Sequence, residues 1–239
     1  MRSIPRSQNL SIVFMAVIVL LTGCYSSNRQ EKEFAANISD QKVNEFLSSV
    51  KKVDGSVEAK YRMARYFQKR KRHKIALEEL KEIIHKDPTF VKAYNAMGIS
   101  YESLGDFNKA IHSYELALKI SPNLDYVLNN LGFAYLLREN YDMAIDAFQK
   151  AIVLDPNFSR AYFSQGVSYG QLGEYPKAIA QINTALKMEP QNGMYYYGRG
   201  RVYLMWGDKT KAMDDFKKAA ELGDEDALNY MNYIGEGKK

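Results

Sequence analysis

This 239-residue chain has one cysteine, one tryptophan, three histidines and six prolines. A single cysteine cannot close an intramolecular disulfide, so stability has to come from packing. The histidines, His73, His85 and His112, stand at no metal-ligand spacing, and the lone thiol has no partner for Cys–His nucleophilic chemistry. Gly198-Arg199-Gly200 opens like a dinucleotide fingerprint, but Tyr203 occupies the third glycine position and no strand precedes it. Neither catalysis nor a cofactor or metal is expected. A long apolar run is also lacking, because Leu10 to Leu21 is twelve residues against the roughly 20 that a spanning helix needs. The formal charge of +5 is too mild an excess to argue for nucleic acid as a partner.

The apolar run follows Arg2 and Arg6 and ends in Leu21-Thr22-Gly23-Cys24, which reads as a signal peptide over residues 1–23. The tetrapeptide resembles a bacterial lipobox. That resemblance implies cleavage before Cys24, a thioether-linked diacylglycerol on its sulfur and an acylated N-terminus; the alternative is an ordinary signal peptide. Two or three acyl chains hold a protein stably on a membrane where one does not. The mature chain would then carry 31 basic and 28 acidic residues. Residues 24–39 are polar and without clear periodicity, as in a flexible tether reaching roughly 50 Å when extended. In residues 40–56, Val43, Phe46, Leu47 and Val50 lie at helical spacing after Asp40, which predicts a docking helix or a degenerate repeat.

A 34-residue period then governs the chain. It is marked by Pro88, Pro122, Pro156 and Pro190, and by Ala76, Ala110, Ala144, Ala178 and Ala212. In the frame starting at Val91, Tyr94, Met97, Gly98 and Tyr101 form one helical stripe. Gly105-Asp106 supplies a turn, and Phe107, Ala110, Tyr114 and Ala117 form a second stripe ended by Ser121-Pro122. Each unit is therefore a helical hairpin, and the units are 57–90, 91–124, 125–158, 159–192 and 193–226. Gln165, Arg199 and Lys209 are polar where the pattern is apolar, and Asp224 replaces the last proline. Residues 227–239 read as a capping helix and tail, with Asp224 and Asp226 as caps and Leu228, Met231 and Ile234 on one side.

Over residues 57–226 this pattern resembles the tetratricopeptide repeat family. The resemblance implies an all-α, right-handed solenoid with a concave, peptide-binding groove lined by frame positions 2, 5, 9 and 12 of each first helix. Those positions hold Tyr126, Asn129, Phe133 and Leu136 in the third unit and Arg160, Phe163, Val167 and Gly170 in the fourth. In the fifth they hold Met194, Tyr197, Arg201 and Leu204. So apolar a groove suits an amphipathic helix or an apolar tail. The same side chains would also serve to pack against the next repeat. The family's carboxylate clamp is matched at Asn130 and Arg160 but departs at Asn95, Ile99 and Ser164. The basic run Lys69, Arg70, Lys71, Arg72, His73 and Lys74 is expected on the first unit's turn, either as a solvated turn or against anionic headgroups.

In overall plan the chain resembles the pilotin-type lipoproteins of type IV pili. That implies a membrane-attached adaptor or assembly factor for an envelope protein such as a secretin. A regulatory adaptor docking cell-wall hydrolases or proteases is the alternative. Tyr25 after the cysteine is consistent with outer-membrane sorting, facing the periplasm, in a Gram-negative cell. The sequence leaves the oligomeric state open.

Overall fold

The computed structural model describes residues 56–236, with side chains through Met231, and divides into two compact units at Asp87/Pro88. The lipobox with Cys24, the tether and the helix expected before residue 56 lie outside the described residues. In the first unit are α1 (Val57–Lys69) and α2 (His73–Lys86). The second holds α3 (Val91–Ser103), α4 (Phe107–Ile120), α5 (Asp125–Leu137), α6 (Tyr141–Leu154), α7 (Ser159–Gln171) and α8 (Tyr175–Met188). It continues with α9 (Gly193–Trp206), α10 (Lys209–Glu221) and α11 (Glu225–Glu236). The described regular structure is all helical, and every first helix opens on the first residue of the sequence frame.

One turn recurs in each hairpin. The residue after the first helix's C-cap, or in α9 the C-cap Gly207 itself, takes positive φ, and the next backbone N–H donates five residues back, as from Asp106 to the Tyr101 carbonyl at 2.9 Å. This double closure satisfies the helix's last carbonyls. Gly105, Gly173 and Gly207 adopt it freely, but Lys71 and Glu139 occupy it at φ 58. No sequence pattern marks those two, because a non-glycine residue in the left-handed region is held there by the structure around the turn.

Inside the hairpins, small residues face large ones. A Cβ built on Gly132 would lie 2.7 Å from Cε1 of Phe148, so glycine is what lets α5 and α6 approach. Ala110, Ala144, Ala178 and Ala212 are buried. Of the polar departures from the pattern, Lys209 is exposed, while Gln165 and Arg199 find partners inside, Gln165 through its amide nitrogen only. Gln165 Nε2 donates to the Ile145 carbonyl and to Gln149 Oε1, both at 3.2 Å. Arg199 donates from Nε and Nη2 to the two Asp215 oxygens at 2.8 and 2.7 Å and from Nη1 to Asn183, with Tyr196 and Tyr203 under its guanidinium.

At the C-terminus Asp224 Oδ1 accepts from the Ala227 N–H at 2.9 Å and starts α11 at Glu225, before the expected boundary at 227. The inward face differs from expectation. Ala227 is buried and Tyr230 packs 4.6 Å from Phe216, whereas Leu228 is exposed.

Candidate peptide-binding groove

In the second unit each first helix packs on its own second helix and also meets the next first helix, α3 with α5, α5 with α7 and α7 with α9. Neighbouring second helices make no comparable contact. The first helices therefore form the tighter, inner wall of this stack, and frame positions 2, 5, 9 and 12 sample that wall.

The positions expected to line it separate into three groups. Tyr126, Phe133, Met194 and Leu204 are exposed, Phe133 at 40%, as are Arg160 and Arg201. Asn130, Leu136, Val167, Phe163 and Tyr197 are half-buried. Asn129 is buried at 6%, and its Oδ1 has no hydrogen-bond partner. A groove-lining role for Asn129 is therefore corrected to a position behind the surface.

Packing on and against α9 accounts for further differences. Phe163 stacks on the buried Tyr195 at 4.7 Å and lies over Gly198, where a Cβ would come within 2.4 Å of its ring. Gly170's missing Cβ points at Val202, 3.0 Å away, so it joins α7 to α9 instead of opening the groove. Tyr197 tilts against Phe216 at 5.5 Å. Of the tyrosine triplet, Tyr195 is the deepest, sharing a hydrogen bond with Ser159 Oγ at 3.1 Å, while Tyr196 donates to the Pro190 carbonyl. Tyr195 is buried by the preceding repeat, through Phe163, Ile182 and Leu186, and not by its own hairpin.

Asn130, weighed for a carboxylate clamp, donates instead to Asn95 Oδ1 at 3.0 Å and ties α5 to α3. On α3, Glu102 accepts from the Tyr114 hydroxyl at 3.3 Å. Burial pushes the Glu102 carboxyl up, while that hydrogen bond and the Arg160 charge pull it down. Arg160 also attracts Glu189, whose carboxyl is held low mainly by Ser159 and Asn192.

The basic run is only partly a turn. Lys69 closes α1, Arg70 to Arg72 make the turn, and His73 and Lys74 open α2. Lys69, Lys71 and Lys74 are exposed, whereas Arg70 and Arg72 are half-buried, with the Arg70 guanidinium 5.1 Å from the centre of the Tyr66 ring. Among the described residues no group of His, Cys, Asp or Glu is placed to hold a metal ion, and no helix is long and apolar enough to cross a membrane.

Comparison with known proteins bears on this architecture. Tetratricopeptide repeat models match residues 91–124 and 126–158, and a further one matches 163–227, together more than half of the chain. The chain belongs to the tetratricopeptide repeat family. Among solved structures it is similar to MamA, with 27% identity, a TM-score of 0.60, and 69% of this chain and 96% of MamA covered. It is similar in fold to PilW, described as a widely conserved type IV pilus biogenesis factor, at 23% identity and TM-score 0.66, covering 70% of this chain and 77% of PilW. YrrB, described as a tetratricopeptide protein with an unusual peptide-binding site, shares the fold at 19% identity and TM-score 0.59, over 78% of this chain and 97% of YrrB. No curated protein sequence matches the chain significantly. As a tetratricopeptide repeat protein the molecule is a protein-interaction scaffold, of a family that is typically non-enzymatic.

Proposed function

We propose that this tetratricopeptide protein is a lipid-anchored adaptor that captures a segment of an envelope protein on the inner wall of its second unit. The observation that carries the reading is the set of exposed apolar side chains at groove positions of the frame, Tyr126 and Phe133 on α5 and Met194 and Leu204 on α9, the two helices that flank α7. Apolar side chains gathered on one wall, unlike singly scattered ones, favour a protein ligand. The Leu21-Thr22-Gly23-Cys24 sequence supports attachment through Cys24, with the outer membrane, facing the periplasm, as its place in a Gram-negative cell. The lipobox, tether and repeats together support a role in type IV pilus assembly, with the secretin as the partner, and the fold likeness to PilW is compatible with it.

Two experiments test this reading. Cys24→Ser is expected to release the protein from membranes with its helical circular dichroism intact, and membrane association that survives a high-salt wash would count against the anchor. Phe133→Ala with Leu204→Ala is expected to abolish cross-linking to the secretin in intact cells while leaving the unfolding midpoint near wild type, since both side chains are exposed. A deletion strain with normal secretin multimers and pili would remove the pilus role, and recovery of peptidoglycan enzymes alone would favour the cell-wall adaptor.

A further inference from the structure

Fixed charge on the inner wall is lopsided. Across α3, α5, α7 and α9 the frame positions 2, 5, 9 and 12 carry three cations, Lys92, Arg160 and Arg201, all exposed, and one carboxylate, Glu102. Glu102 is engaged by the Tyr114 hydroxyl. Among the described residues Arg201 makes no hydrogen bond or ion pair, and Arg160 has only longer-range attraction to Glu102 and Glu189. Both guanidinium forks are thus open, and a fork of this shape matches a carboxylate with two parallel hydrogen bonds. On the same wall Phe133 and Leu204 are exposed and Val167 half-buried.

We propose that the segment captured by this groove is amphipathic and acidic, its apolar side chains seated on Phe133, Val167 and Leu204 and its carboxylates on Arg160 and Arg201. The inference rests on the groove reading above and adds the chemistry of the partner. Apolar surface alone would accept any amphipathic segment, but two open guanidiniums beside it repel a basic one and reward an acidic one. Arg201 lies seven frame positions further along its helix than Arg160, one first helix away. A rise of about 10 Å combined with a helix-to-helix step of about 9 Å separates their backbones by about 14 Å. A helical ligand spans that distance in about two to three turns, so its acidic residues belong at i and about i+7 to i+11.

The test uses the full-length protein, purified from membranes in detergent. It is titrated against three fluorescent synthetic amphipathic helices that are identical in their leucine and phenylalanine positions and carry Glu, Gln or Lys at the polar ones. The glutamate peptide is expected to bind tightest and the lysine peptide weakest. Arg160→Gln and Arg201→Gln should each weaken the glutamate peptide by about threefold to fivefold and leave the glutamine peptide unchanged. Raised salt should shrink the difference. Both arginines are exposed, so the variants keep the fold, which far-UV circular dichroism checks. Equal binding of the three peptides overturns this inference and leaves the groove reading in place, whereas binding of none overturns the groove reading itself. Loss of binding to phosphatidylglycerol vesicles in the arginine variants, without any discrimination among peptides, would assign these arginines to lipid and overturn the proposal.

Discussion

The hairpins α5–α6 and α9–α10 fill equivalent interior positions with opposite chemistry. In the first, Leu131 and Ala147 are buried as ordinary apolar neighbours. In the second, the same two frame positions hold Arg199 and Asp215, joined by two hydrogen bonds and backed by Asn183. Both hairpins otherwise close alike, with Gly132 under Phe148 and Gly200 under Phe216. The repeat backbone therefore tolerates either filling, provided every buried polar atom of the ionic version is matched. Such a pair is not in itself a source of stability, since desolvation cancels much of the attraction, but leaving one partner behind is costly. With Asp215 at 8% side-chain exposure and Arg199 at 20%, the aspartate is the group that suffers when the pair is broken.

The sharpest way to break this comparison is Arg199→Leu, which should lose about 2–4 kcal/mol in urea unfolding because Asp215 stays buried without its partner. Adding Asp215→Ala copies the third repeat's filling and should bring stability back to within about 1 kcal/mol of wild type. A double variant as unstable as the single would mean that the two hairpins are not interchangeable. Next in size is the feature they share. Gly132→Ala should cost about 1–3 kcal/mol, because its new methyl collides with Phe148, a backed aromatic ring with nowhere to go.

Smaller effects belong to the turns. Glu139→Gly relieves a left-handed residue between α5 and α6 and should raise the unfolding midpoint, by a few tenths to about 1 kcal/mol after glycine's own entropy cost. Gly207→Ala, at the equivalent position between α9 and α10, should lower it by a similar amount. Smallest is Glu102→Gln. Burial raises the folded Glu102 carboxyl above its unfolded value. Its contribution is therefore present below the unfolded pKa and lost as pH rises through the folded one. The glutamine variant should gain on wild type in thermal melts from acid to neutral pH, and parallel melts would refute this.

Helix limits were almost wholly legible. The frame placed the starts at Val91, Asp125, Ser159 and Gly193 because glycine, proline and aspartate act locally, through backbone freedom, a fixed φ and capping. The groove was legible only in part. A frame position says which way a side chain leaves its own helix, but burial depends on how near the next helix comes. Phe163 is half-covered because Gly198 lets its ring approach α9, while Phe133, at another position of the same pattern, stays exposed. Asn129 shows the same limit, since a polar residue at a groove position ended up buried.

By itself the sequence determined the family, the number and register of the hairpins and the places where the pattern departs from apolar. Those are properties of short-range spacing, repeated often enough to reinforce each other. Only the tertiary structure decided that Arg199 and Asp215 satisfy one another, that Lys71 and Glu139 hold left-handed turns, and that on one groove helix Asn129 is buried while Phe133 stays exposed. Each of these depends on the distance between helices that are neighbours in space, a quantity fixed by packing and not by periodicity.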